Sequence, residues 1–146
     1  MIRFKFFLIR FIIILLVFIF PKHVFSFENS QFAKVGKIYD GDTIELKLKE
    51  PTPIRLTGID CFETSNINRT YKQAYLYNIS IEEVIKRGIL AKKELTKIIS
   101  KNGYKIYFKC DGIDKYGRLL GQIYTLNGQN INDIMKKSKY CYPFKY

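Results

Sequence analysis

Histidine is almost missing from this chain, and negative charge is scarce. The one histidine, His23, falls within the first 26 residues, and 13 acidic residues stand against 25 lysines and arginines, a formal net charge of +12 over 146 residues. Without a histidine beyond residue 23, Ser–His and Cys–His nucleophilic sites and histidine-held zinc are excluded from the rest of the chain. Cysteine is sparse too: Cys61, Cys110 and Cys141, with no CxxC pair. Such an odd count permits one disulfide in an oxidising compartment and leaves one thiol over.

Long apolar runs occur once. Residues 11–20, FIIILLVFIF, follow a segment carrying Arg3, Lys5 and Arg10 and precede Val24 and Ser26 at small-residue cleavage spacing. A basic start, an apolar centre and a small-residue end form a Sec-type signal peptide pattern, with cleavage expected after Ser26. The alternative is an uncleaved membrane anchor over residues 6–20, although that run is short of the ~20 residues a comfortable span needs. The expected division is therefore 1–26 signal peptide and 27–146 a single domain, secreted or periplasmic, or membrane-attached if the leader stays. Residues 1–26 hold four cations and no acid, so residues 27–146 keep a charge of +8. A domain this basic suits a polyanion such as nucleic acid, while an AT-rich codon bias toward lysine is the bland explanation.

From Val35 onward, alternating apolar positions and turn residues read as short strands. AKVGKIY leads into Asp40-Gly41, a hairpin-turn dipeptide. DTIELKL alternates Ile44, Leu46 and Leu48 against Thr43, Glu45 and Lys47; KEPTP reads as a turn; IRLTGID puts Ile54, Leu56 and Gly58 opposite Arg55 and Thr57. Residues 61–79 read as a loop rich in Asn, Thr and Tyr, with formal glycosylation sequons at Asn68 and Asn78. Ser80 and Glu83 have capping-box spacing and open a helix. Gly88 is expected to weaken its middle by about 1 kcal/mol relative to alanine. KNGYKIYFKC and LLGQIYTL read as strands around the loop DGIDKYGR, and NINDIMKKSKY as a second helix. The expected class is α+β, mainly β: a small closed antiparallel five-stranded barrel with two packed helices, an OB-fold.

Some of the 13 acids lie close together. Asp40, Asp42, Asp60 and Glu63 fall in two short stretches, and strand parity lets Asp42 and Asp60 continue apolar faces. A hairpin symmetric about Pro51 would set Asp42 opposite Asp60, a like-charge pair that a hard divalent cation would relieve. Oxygen ligands alone point to calcium or magnesium. Asp40 reads as a turn residue. Arg55 and Arg118 add fork-shaped donors that match a phosphodiester. Cys110, at a strand end, and Cys141, after the second helix, are a plausible disulfide pair, with Cys61 the leftover thiol; an unbridged pair remains the alternative.

DGDTIEL, IRLTGID-x-x-ET and DKYGR, in this order and with a helix between the last two, resemble the staphylococcal nuclease (thermonuclease) family over roughly residues 33–142. The resemblance implies that Asp42, Asp60 and the backbone carbonyl of Cys61 bind Ca²⁺. It implies that Glu63 activates or orients the attacking water, that Arg55 and Arg118 grip the scissile phosphate, and that Lys115 and Tyr116 lie near the nucleotide's other phosphate. It further implies cleavage of DNA and/or RNA to 3′-phosphates. The chain departs from the family's pattern at Cys61-Phe62, where a small residue and a proline are usual. Tyr142 and Tyr146 are both candidates for a base-stacking tyrosine. The expected protein is an exported calcium-dependent nuclease, a monomer with no stable protein partner. The alternative is a barrel that binds nucleic acid without cutting it, which should lack several of the five charged residues that this chain retains.

Overall fold

The computed structural model describes residues 29–145. The signal-peptide and anchor readings of residues 1–26, and Tyr146, lie outside the described residues. Among the described residues no helix is long and apolar enough to cross a membrane.

Five strands close into a barrel in the order β1–β2–β3–β6–β5: β1 (Gln31–Ile38), β2 (Thr43–Lys47), β3 (Pro51–Leu56), β5 (Lys105–Ile113) and β6 (Leu119–Tyr124). Two three-residue strands, β4 (Ile59–Cys61) and β7 (Cys141–Pro143), form a separate antiparallel pair. The OB-fold expectation holds, with one refinement: β3 and β6 pair in parallel and the other barrel ladders are antiparallel. Inward-facing Ile44, Leu46, Ile54, Leu56, Ile106 and Ile123 fill the barrel, all with no exposed surface. A one-residue register shift in β1 between Val35 and Ile38 keeps both facing the core.

Among the described residues three helices pack outside it: α1 (Asn68–Tyr77), α2 (Ile81–Lys101) and α3 (Ile131–Lys136). Ser80 caps α2 as its spacing predicts, accepting from the Glu83 amide at 3.1 Å. Its buried stripe is Val84, Gly88, Ala91, Leu95 and Ile99, a helical repeat that presses onto the barrel mouth. Helix α1 replaces part of the expected loop 61–79. It buries only two polar residues, Thr70 and Gln73, so no apolar stripe announces it. Left-handed Asn78 (φ 49°) ends it, a conformation asparagine tolerates better than most residues.

The hairpin register also differs from expectation. Thr43 pairs with Arg55 and Lys47 with Pro51, so the turn is residues 48–50 and KEPTP is partly strand. β3 meets β6 only from Ile54 onward, leaving the proline end of β3 with one edge outside the sheet, where a missing N–H is tolerated. Asp42 therefore does not face Asp60 across the hairpin. Gly58 (φ 78°) turns the chain after β3, and Asp60 sits on β4. Buried Asn132 of α3 pins that turn by donating to the carbonyls of Thr57 (2.9 Å) and Gly121 (3.1 Å).

Candidate active site

Four of the chain's 13 acids, Asp40, Asp42, Asp60 and Glu63, converge near the ends of β2, β3 and β4. Asp42 and Asp60 are both 5% exposed, and Arg55, expected on a polar strand face, is 4% exposed between them. Its guanidinium pairs with Asp42 Oδ1 and, at 2.7 Å, with Asp60 Oδ1. The two carboxylates thus meet through an arginine. Asp42 also accepts from the Cys61 amide at 2.6 Å and from Thr43 Oγ1 at 3.1 Å. Asp40 behaves as the turn residue it resembles, accepting from the Asp42 amide at 2.9 Å.

Burial dominates the electrostatics. It pushes the Asp42 carboxyl up to about 7; Arg55 pulls the other way and Asp40 adds to the rise. The Glu63 carboxyl is raised as well, chiefly by burial, with Arg69 opposing and Asp42 and Asp60 reinforcing.

Arg69, on α1, was not singled out in the sequence. It pairs with Asp60 and, at 3.0 Å, with Glu63 Oε1. Gln73, one turn later and 3% exposed, accepts from the Glu63 amide (2.9 Å) and donates to the Cys61 carbonyl (3.0 Å) and to Tyr142 Oη (2.7 Å). The i, i+4 spacing of Arg69 and Gln73 would have marked one helix face, had the segment read as a helix. Together they explain how Glu63 is held without the proline. Phe62 donates its amide to the Tyr140 carbonyl at 3.1 Å, a bond proline lacks the N–H to make. Its ring is 3% exposed and packs edge-on against Tyr77 and Tyr142, with centroids 5.2 and 5.5 Å away. Gly88 is no mere weakness of α2: a Cβ there would lie 2.1 Å from the Glu63 carbonyl oxygen, so only glycine lets the helix approach that backbone.

The disulfide expectation is overturned. Cys61 bonds to Cys141, its direct partner in the β4–β7 ladder, and Cys110 is the exposed free thiol. β5 continues past Cys110 to Ile113, against β6, whereas β7 folds back on the strand that carries Asp60.

A cavity of about 360 Å³ opens over this corner, its wall including Asp42, Arg55, Glu63, Arg69, Tyr116 and Arg118. Arg118 pairs with Asp114 at 2.8 Å and lies 5.6 Å from the Tyr116 ring centre. Lys115 is not part of the wall; its ammonium lies 5.1 Å from the same ring centre. Asp60 stands behind Arg55 and Arg69 rather than on this wall, and the Cys61 carbonyl is engaged by Gln73.

Among the described residues no three acidic, cysteine or histidine side chains form a ready cage for a metal ion. The donor chemistry nevertheless fits a hard divalent cation. Three carboxylates (Asp42, Asp60 and Glu63) share two guanidiniums, Arg55 and Arg69, a fourth, Asp40, stands beside Asp42, and burial holds Asp42 toward its neutral form. Two further positive charges would balance the corner, and its donors are all oxygen.

The family profile described as "staphylococcal nuclease homologue" matches residues 53–142. Endonuclease YhcR of Bacillus subtilis is 34% identical over 120 residues, which is 80% of this chain and 9% of that protein. An uncharacterised protein of Methanocaldococcus jannaschii, MJ1439, is 34% identical over 123 residues, 79% of this chain and 59% of that one. The chain thus spans less than two thirds of either relative. With more than half of its length matched, this chain belongs to the staphylococcal nuclease homologue family.

Proposed function

We propose that this protein is an exported, calcium-dependent nuclease that hydrolyses phosphodiester bonds of DNA and/or RNA, acting as a monomer without a stable protein partner. One observation carries the reading: a carboxylate with a raised pKa, Glu63, shares a cavity with two arginines, Arg55 and Arg118, that reach it from different elements. Phosphodiester hydrolysis needs a base near an attacking water and cations around the oxygens that gain charge. In this reading Glu63 takes a proton from water, or orients it, as the oxygen attacks phosphorus in line with the 5′-oxygen. The bond from phosphorus to that oxygen breaks, a bond to the water oxygen forms, and a proton reaches the leaving alkoxide. The products are a 3′-phosphate and a 5′-hydroxyl.

Arg55 and Arg118 donate to the non-bridging oxygens, and Tyr116 with Lys115 flanks the neighbouring phosphate. Asp42 and Asp60 would hold calcium, with the Cys61 carbonyl as a third donor if Gln73 shares it. The bound ion would neutralise phosphate charge beside the arginines.

Cleavage of plasmid and RNA, in calcium or in chelator, with end-group analysis tests this. Calcium-dependent fragments carrying 3′-phosphates are expected. Salt-sensitive binding without cleavage in any divalent metal would return the barrel to a binding module.

A further inference from the structure

The outer face of the barrel carries a pattern that the chemistry above does not use. Lys34 on β1 lies directly opposite Lys47 on β2 and, on its other side, Lys105 on β5. Three lysines thus form one row across three strands. Their chain neighbours Val35, Leu46 and Ile106 are buried, so alternation turns the lysines outward, and all three are exposed. Like charges directly across a ladder are destabilising, and here two such pairs share Lys34. Among the described residues none of the three has an ion-pair partner. Strand β2 joins this row to the active cavity. Thr43, in the cavity wall, is on the same side of β2 as Lys47, four residues and about 13 Å away. Glu45, the acid between them on that side, already accepts from Tyr39 Oη at 3.2 Å.

We propose that this face is a second phosphate-binding surface, which holds the backbone of a polynucleotide at a distance from the point of cleavage. Neighbouring strands are about 4.8 Å apart, so the row spans about 10 Å, a length over which one strand of a duplex presents about three phosphates. Lysine contacts to phosphate fix where a polynucleotide lies and read no sequence. The row therefore favours chains long enough to fill the cavity and also cross β2, over short ones that fill the cavity alone. Continuity with the cavity along one strand favours a polynucleotide over an anionic lipid surface, which would meet the lysines only. The proposal rests on the reading above for the place of the phosphodiester in the cavity.

The test is fluorescence anisotropy of the full chain in chelator with two end-labelled oligonucleotides, one long and one just sufficient to fill the cavity. The triple variant Lys34→Gln/Lys47→Gln/Lys105→Gln removes the row at exposed positions, and its Tm should equal or exceed the parent's because the repulsion goes with it. It should bind the long oligonucleotide about tenfold more weakly or worse, with a salt slope lower by about 2 to 3, the signature of three lost phosphate contacts. Its affinity for the short one should barely change. The control Lys86→Gln/Lys93→Gln/Lys97→Gln removes the same charge from the exposed side of α2 and should keep most of the parent's affinity for the long chain. The proposal is overturned if the row variant binds the long oligonucleotide as the parent does, or loses no more than the control. It is also overturned if the row variant loses only binding to vesicles of phosphatidylserine and phosphatidylcholine, which would give the face to a membrane. A protein that never cleaves yet shows the length-dependent loss keeps this surface and loses the nuclease reading. One that cleaves without that loss does the reverse.

Discussion

The two arginines that face the central cavity arrive there in opposite ways. Arg55 leaves a barrel strand, is 4% exposed, and is clamped between two buried carboxylates. Arg118 leaves a surface loop whose shape comes from Asp114, which accepts from the amides of Tyr116 and Arg118 as well as from the Arg118 side chain. One half of the site is part of the fold and the other is carried on it. In the first, charge placement and stability are one problem; in the second they are separable.

Substitution should expose that difference, most strongly at Arg55. Arg55→Gln leaves Asp42 and Asp60 buried without their shared partner. We expect cleavage to fall about 10³-fold or more, as for arginines that neutralise a transferring phosphoryl group. Unfolding in urea should show a loss of about 3 kcal/mol at pH 8, the scale of a broken buried pair. At pH 5 that loss should shrink, because a protonated Asp42 no longer needs the guanidinium. Equal losses at both pH values would mean that the carboxylates are not the reason Arg55 is buried.

Arg118→Gln is the counterpart. Cleavage should fall about 10²- to 10³-fold, while stability stays within about 1 kcal/mol of the parent, since the pair with Asp114 is at the surface. A large stability loss would erase the distinction between the halves. Cys141→Ser belongs to the first half, because the bridge ties β7 to the strand bearing Asp60. A stability loss of about 2–4 kcal/mol is expected, and Cys110→Ser should cost nothing measurable in the same thermal melt.

The smallest expected effect is a pH dependence. Asp42 has its carboxyl raised in the fold to about 7. In chelator the folded state therefore holds a proton that the unfolded chain releases, and this contribution is complete below about pH 4 and lost as pH rises through 7. Calcium would take the proton's place, so the rise in Tm on adding calcium should grow from pH 6 to pH 8. A calcium effect independent of pH would show that Asp42 is not where the ion binds.

Much of this site was legible because it is built from strand ends. Alternation placed Ile44, Leu46, Ile54 and Leu56 in the core, and Ser80 marked the start of α2. DGDT, IRLTGID and DKYGR delivered Asp42, Arg55 and Arg118 to one cavity. What was hidden depends on contacts that carry no periodic signal. Helix α1 docks through Thr70 and Gln73, and polar residues on its inner face look like a loop. Arg69 and Gln73 were lost with it. The register turned on whether KEPTP is turn or strand, and the edge position of Pro51 and Pro53 allowed strand. Three cysteines permit three pairings, and the one formed was fixed by a ladder of three residue pairs that no sequence pattern announces.

The account stands on Glu63 as the group that handles water, and one paired measurement reaches it directly. Oligonucleotide affinity in chelator and single-turnover cleavage in calcium are compared for the parent and Glu63→Gln. The glutamine keeps the shape and its backbone amide still donates to Gln73 Oε1, so affinity should be unchanged while cleavage slows about 10²- to 10⁴-fold. A Glu63→Gln protein that cuts as fast as the parent, or a parent that binds and never cuts in any divalent metal, would contradict it.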